Sequence, residues 1–168
     1  MRITGSFLPL FRSPQRWLGL LSAVGILLGA ASPRAAVIPG LFNTGVDNAG
    51  ALLPAGSVDP HYRLYQSADA GFPGPNAFVL NDVWPVQAGT WMLNGPTSKW
   101  LAPQTSQATG NLPGDYVFRL TFDLTGLDPD TAIITGRWSS DNGGVDIRIN
   151  GVGTGINYDG NFGAFSAN

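Results

Sequence analysis

The clearest alternation of apolar and polar positions lies in Tyr116-Val117-Phe118-Arg119-Leu120-Thr121-Phe122-Asp123-Leu124. Every even position there is large and apolar, while Arg119, Thr121 and Asp123 point the other way. A period of two is that of a strand with one buried face. Gly126-Leu127-Asp128-Pro129-Asp130 then turns the chain, and 132–139 predicts the next strand. Val145-Asp146-Ile147-Arg148-Ile149-Asn150 alternates again and runs into Asn150-Gly151, a preferred pair for a two-residue hairpin turn. Upstream, 61–66 alternates behind the turn opener Asp59-Pro60, and Ala77-Phe78-Val79-Leu80 makes a short run closed by Asn81-Asp82. Between these, 83–113 is a loop-rich insertion carrying Trp84, Trp91 and Trp100, and loops of that length are uncommon unless functional. Strand, turn and strand recurring at roughly 10 to 14 residues predict an antiparallel β-sandwich or barrel. The expected fold class is therefore all-β, a single domain over 37–168 with its regular core over 114–168.

Composition agrees with this pattern. The 168 residues include 23 Gly, 13 Pro, eleven Asp, no Glu and a single Lys, a mixture poor in helix formers and rich in turn formers. The absence of Cys excludes disulfide scaffolds, thiol catalysis and iron–sulfur centres. With one His, a metal centre built on imidazoles is a poor fit.

Residues 1–36 read as a secretory leader. Arg2, Arg12 and Arg16 form a positive start, Trp17 to Leu28 supply twelve apolar or small positions, and small residues surround candidate cleavage points after Ala31, Ala35 or Ala36. A membrane span needs about 20 apolar residues, so no span is expected after cleavage. Without an Arg-Arg pair, the general secretion route is preferred, and the mature protein is expected to be secreted or held at the cell surface. Cleavage removes four of the nine basic residues, leaving five against eleven Asp, a net charge of −6. Such a polyanion has no counterion release to gain from nucleic acid or anionic lipid, and neither is an expected partner.

Candidate chemistry is sparse, and each feature has a structural alternative. His61 could act as a general base, but a packing role at a strand entrance is favoured. Asp128 and Asp130 could form a carboxylate pair for glycoside hydrolysis; Asp in a turn more often bonds its own backbone. Asp141-Asn142-Gly143-Gly144-Val145-Asp146 places the hard oxygen ligands Asp141, Asn142 and Asp146 on a Gly-flexed loop that suits calcium, although the twelve-residue calcium loop would need an acid at Val152. A plain turn is favoured, so no cofactor is expected, structural calcium being the alternative. Trp84, Trp91 and Trp100 could stack on sugar rings, with Asn94 or Lys99 holding hydroxyls; the competing reading is that they plug the end of the fold.

The run from Gly114-Asp115-Tyr116 through Leu124, then Ala132 to Trp138 with Asp141-Asn142, then Asp146 to Gly155 with its Asn-Gly hairpin, resembles a galactose-binding-like jelly roll. Asp159-Gly160-Asn161-Phe162-Gly163-Ala164-Phe165 is similar to the Gly-x-Phe-x-x-Phe stretch of such domains. More narrowly, Leu41-Phe42-Asn43-Thr44-Gly45-Val46-Asp47, Val58-Asp59-Pro60-His61-Tyr62, Asn94-Gly95-Pro96-Thr97-Ser98-Lys99-Trp100 and Arg137-Trp138-Ser139-Ser140-Asp141-Asn142 resemble exported bacterial proteins of unknown function, many of which carry a C-terminal Pro-Glu-Pro exosortase sorting segment. The jelly-roll pattern continues into strands closing on Gly-x-Asn-x-Leu, whereas this sequence ends at Asn168; the expectation is a fold short of its last strand or strands, with an exposed sheet edge.

The resemblance implies an exported, non-catalytic β-sandwich module that binds glycan or contributes to extracellular matrix; extracellular polysaccharide is then the candidate partner, and the residues read above, Trp84, Trp91, Asn94, Lys99 and Trp100, are the candidate ligand-binding set. A purely structural surface protein without a ligand is the alternative, and an Asp-dependent polysaccharide hydrolase the third reading.

Overall fold

The computed structural model describes residues 37–158 and 162–166. The leader expected over 1–36 and the Asp159-Gly160-Asn161 part of the tail motif lie outside them. Among the described residues there is no α-helix, and nothing helical is long and apolar enough to cross a membrane. The protein is built on β-structure: β1 (Val58–Gln66), β2 (Asn76–Val79), β3 (Leu101–Ala102), β4 (Val117–Leu120), β5 (Arg148–Ile149) and β6 (Val152–Gly153). The first four form one curled antiparallel sheet in the order β3-β2-β1-β4, and β5 and β6 form a separate hairpin.

The longest strand, β1, is central, and its sequence explains the curl. Val58 pairs with Phe78 and Arg63 with Asn76, so β1 runs three residues longer than β2 between these two pairs. Pro60 sits in that excess, where it cannot donate to a ladder. A second irregularity, between Leu64 and Gln66, faces β4. Bulges bend a strand and increase its twist, and two in one central strand curl the sheet.

On the β2 side the Pro60 bulge takes His61 and Tyr62 out of register, although Tyr62 still faces Leu120 of β4, and their amides need acceptors. Asp59 supplies them: its Oδ1 accepts from the backbone N–H of His61 and of Tyr62, both at 2.8 Å, and its Oδ2 accepts from Gly45 N–H at 2.6 Å. The carboxylate is 3% exposed, so one buried anion holds the strand entrance and the segment before it. Nearby, the Tyr62 hydroxyl donates to Phe42 O at 3.0 Å. Burial, with Asp59 adding its negative charge, pushes the Tyr62 phenol up to about 12.

Buried apolar side chains come from 46–102: Val46, Leu64, Ala77, Val79, Leu80, Val86 and Ala102. Gly74 lets the β1–β2 connection pack here. Its φ is +90°, and a Cβ would lie 2.5 Å from Leu64 O, a position only glycine fills without strain. The second half packs less tightly. The alternation over 116–124 persists, with even positions half-buried and odd positions from Val117 to Asp123 exposed, but only Val117–Leu120 joins the ladder. The strand expected over 132–139 does not form. That segment has no ladder partner, and Ile133 is 64% exposed. The hairpin is found as expected: Asn150 and Gly151 take φ values of +52° and +83°, as a type I′ turn requires.

Replacing Asp59 with Asn puts an NH₂ group against amide donors and removes the charge from a buried hydrogen-bonded site. Urea unfolding is expected to show a loss of about 3 kcal/mol; a loss below about 1 kcal/mol would mean that the clamp is dispensable.

Candidate functional site

The carboxylates come first, because an acid-dependent site would be built from them. Besides Asp59, six more accept backbone N–H donors. Asp47 Oδ1 holds Ala49 and Ala51, and Asp82 Oδ1 holds Asn94. Asp123 Oδ1 accepts from both the amide and the hydroxyl of Thr125. Asp128 caps the 3-10 turn Pro129–Thr131 by accepting from Asp130 N–H at 3.0 Å, so the Asp128/Asp130 pair is placed as turn chemistry.

Asp69 is the second buried carboxylate, 8% exposed. Its Oδ1 accepts from Gly71 N–H, and its Oδ2 accepts from Asn111 Nδ2 at 3.1 Å and Leu112 N–H at 3.2 Å. These bonds, the Asn111 amide first, hold its pKa below the ordinary value of 3.8. They join the end of β1 to the segment that enters β4.

Of the candidate calcium ligands, Asp146 is already engaged by its own hairpin. Asp146 faces its own hairpin, where Oδ1 accepts from Thr154 and Gly155 N–H at 3.2 and 3.1 Å while Oδ2 lies 3.6 Å from Arg148 Nε. Asp141 and Asn142 are exposed, and desolvation raises the Asp141 carboxyl above the ordinary aspartate range. Gly144, between Asn142 and Asp146, is buried beneath the Trp138 indole. Among the described residues, no three His, Cys, Asp or Glu side chains are grouped as metal ligands.

The aromatic candidates divide. Trp91 and Trp100 lie 4.8 Å apart between ring centres and pack on the Leu80, Val86 and Ala102 cluster. The Trp100 indole N–H donates to Met92 O at 2.8 Å. Asn94 brackets the same region, donating from Nδ2 to Leu80 O and accepting Trp100 N–H at Oδ1. Lys99 reaches across to donate to Leu53 O at 2.9 Å. Trp91, Asn94 and Trp100 thus serve the packing of the 83–113 segment, and Lys99 ties it to the chain at Leu53. His61 is likewise packed, its ring stacked 3.6 Å from that of Phe42.

Trp84 differs. It is 55% exposed and lines a cleft of about 160 Å³ with Asn81, Thr105, Ser106 and Gln107. That is smaller than the roughly 300–1,000 Å³ of sites for drug-sized ligands, and it suits one ring or a chain end. Of its polar partners only Asn81 is near in sequence; Thr105, Ser106 and Gln107 lie more than twenty positions away, so they could be found only once the chain had folded. Comparison with protein-family models, with curated proteins and with solved structures finds no match in any of the three.

Asp69 makes a pH prediction. A carboxyl whose pKa is lowered by folding stabilises the protein above the unfolded value near 3.8, and that contribution is lost as pH falls through the lower folded value. The stability gap between wild type and Asp69→Asn is therefore expected to narrow when urea unfolding is repeated from neutral pH down to pH about 3. A gap independent of pH would contradict the assignment.

Proposed function

We propose that the chain is an exported, non-catalytic β-module that binds a glycan end or single sugar ring in the Trp84 cleft. The observation that carries this reading is an exposed indole beside the amides of Asn81 and Gln107 and the hydroxyls of Thr105 and Ser106. An apolar ring face flanked by short polar side chains is the chemistry a sugar needs, since one face of a pyranose is apolar and its rim carries hydroxyls. The leader-like residues 1–36 support export by the general secretion route. The engagement of seven Asp carboxylates with backbone amides supports a non-catalytic role over the hydrolase reading.

The finer fold belongs to the same proposal. A galactose-binding-like jelly roll, of the kind found in exported proteins that carry an exosortase sorting segment, accounts for the antiparallel sheet and for the Asn-Gly hairpin. The ligand-free structural reading is favoured by a different observation: Trp91, Trp100, Asn94 and Lys99 all make internal contacts.

Glycan-array binding by the wild type, lost in Trp84→Ala with an unchanged melting temperature, is the expected outcome. Trp100→Ala is expected to cost about 3 kcal/mol of stability because it empties the packed side of the segment. No binding on any array, or binding indifferent to Trp84, would favour the structural protein.

A further inference from the structure

Arg63 and Arg119 are direct partners in the β1–β4 ladder, so their side chains leave the same face of the sheet. This face is opposite Leu64, which is 1% exposed, and both arginines are exposed. Like charges directly opposite one another destabilise a sheet. Among the described residues the only ion pair is Arg148 with Asp146, so neither guanidinium is neutralised. The next acid along the same face, Asp123, turns its Oδ1 to the amide and hydroxyl of Thr125. Elsewhere Lys99 donates to Leu53 O and Arg137 lies over the Phe165 ring. A chain with only five basic residues beyond position 36 thus sets two of them side by side with no counter-charge among the described residues.

The surroundings prepare this pair for an anion. Arg119 Cζ stands 3.4 Å from the centre of the Tyr65 ring, and that cation–π contact holds the guanidinium while its in-plane N–H edge stays open. A planar fork of N–H donors matches a carboxylate with two parallel hydrogen bonds. Thr121 occupies the next position on the same face of the chain, and Pro73, Gly74 and Pro75 complete a cleft of about 520 Å³. The prolines give it a stiff apolar side, and it is an open cleft, wide enough for a sugar unit of a longer chain to lie across it.

We propose that this cleft binds the carboxylate of a uronic-acid unit in an acidic polysaccharide. Arg63 and Arg119 take the carboxylate, the Pro73–Pro75 side packs against the sugar ring, and Thr121 bonds a hydroxyl. The bound anion relieves the repulsion between the two guanidiniums, a stabilisation that a neutral sugar cannot supply. No residue lining this cleft lines the Trp84 cleft, so the two sites stand or fall separately.

Calorimetric titration of the full chain with trigalacturonate, neutral galactotriose and inorganic sulfate tests the assignment. Trigalacturonate is expected to bind, with affinity falling as salt rises. Arg63→Gln and Arg119→Gln should each weaken it by about tenfold or more, as expected for loss of a charge-assisted hydrogen bond. Tyr65→Phe should bind as wild type, Tyr65→Leu several-fold more weakly, and Trp84→Ala unchanged. The melting temperature of ligand-free Arg63→Gln at low salt should equal or exceed that of wild type, which also shows that the variant is folded. Equal binding of galactotriose, or wild-type binding by both Gln variants, would overturn the proposal. Sulfate binding as tight as trigalacturonate binding would overturn it too, by reducing the site to a general anion patch.

Discussion

The buried carboxylate of Asp59 is the constraint on which the rest of the structure depends. Pro60 breaks the hydrogen-bond ladder of the longest strand, and the amides left over would be costly to bury unpaired. Asp59 accepts two of them and, with its other oxygen, takes Gly45 N–H from the segment that precedes the sheet. Gly45 in turn packs so close to Lys99 that a Cβ there would lie 2.6 Å from the lysine Cβ. The carboxylate therefore fixes the strand entrance, the N-terminal segment and one side of the 83–113 segment together. Asp69 does the same at the other end of β1, where it ties in the approach to β4.

These two residues give meaning to a composition with eleven Asp and no Glu. An Asp carboxylate is short enough to reach the amides two or three positions along its own chain, as it does at Asp47, Asp59, Asp69, Asp123 and Asp128. A Glu carboxylate, one methylene further out, bonds its own turn less readily, which is why Asp and not Glu favours turns. A fold made of short strands and many turns thus uses its acids as backbone acceptors. The proposed recognition surfaces use other groups: an exposed indole at Trp84 and the arginine pair Arg63 and Arg119 on the outer face of the sheet.

Local pattern revealed the elements whose structure is decided locally. The 61–66 and 77–80 strands, the alternation after Tyr116 and the Asn150-Gly151 turn all follow from side-chain period or backbone preference, and each is found. Residues 132–139 have strand-forming side chains but no neighbouring strand to pair with, and composition cannot supply a partner. The placement of the core was equally hidden. Burial over 46–102 depends on contacts such as Gly45 with Asp59, Thr44 with Lys99 and Met92 with Phe162, all distant in sequence. For the tryptophans, sequence identified the residues but not their orientation: Trp91 and Trp100 face the core while Trp84 faces solvent. Arg63 and Arg119 each looked like an ordinary polar position on an alternating strand, and only the ladder register sets them opposite one another.

Amide hydrogen exchange followed by NMR tests the central role of Asp59 directly. If its carboxylate organises the sheet, the N–H groups of Gly45, His61 and Tyr62 should exchange as slowly as those of Leu64 and Val79, through the same global opening. Exchange at the rate of an open turn, while Leu64 and Val79 remain protected, would show that the clamp opens independently and that the fold does not depend on it.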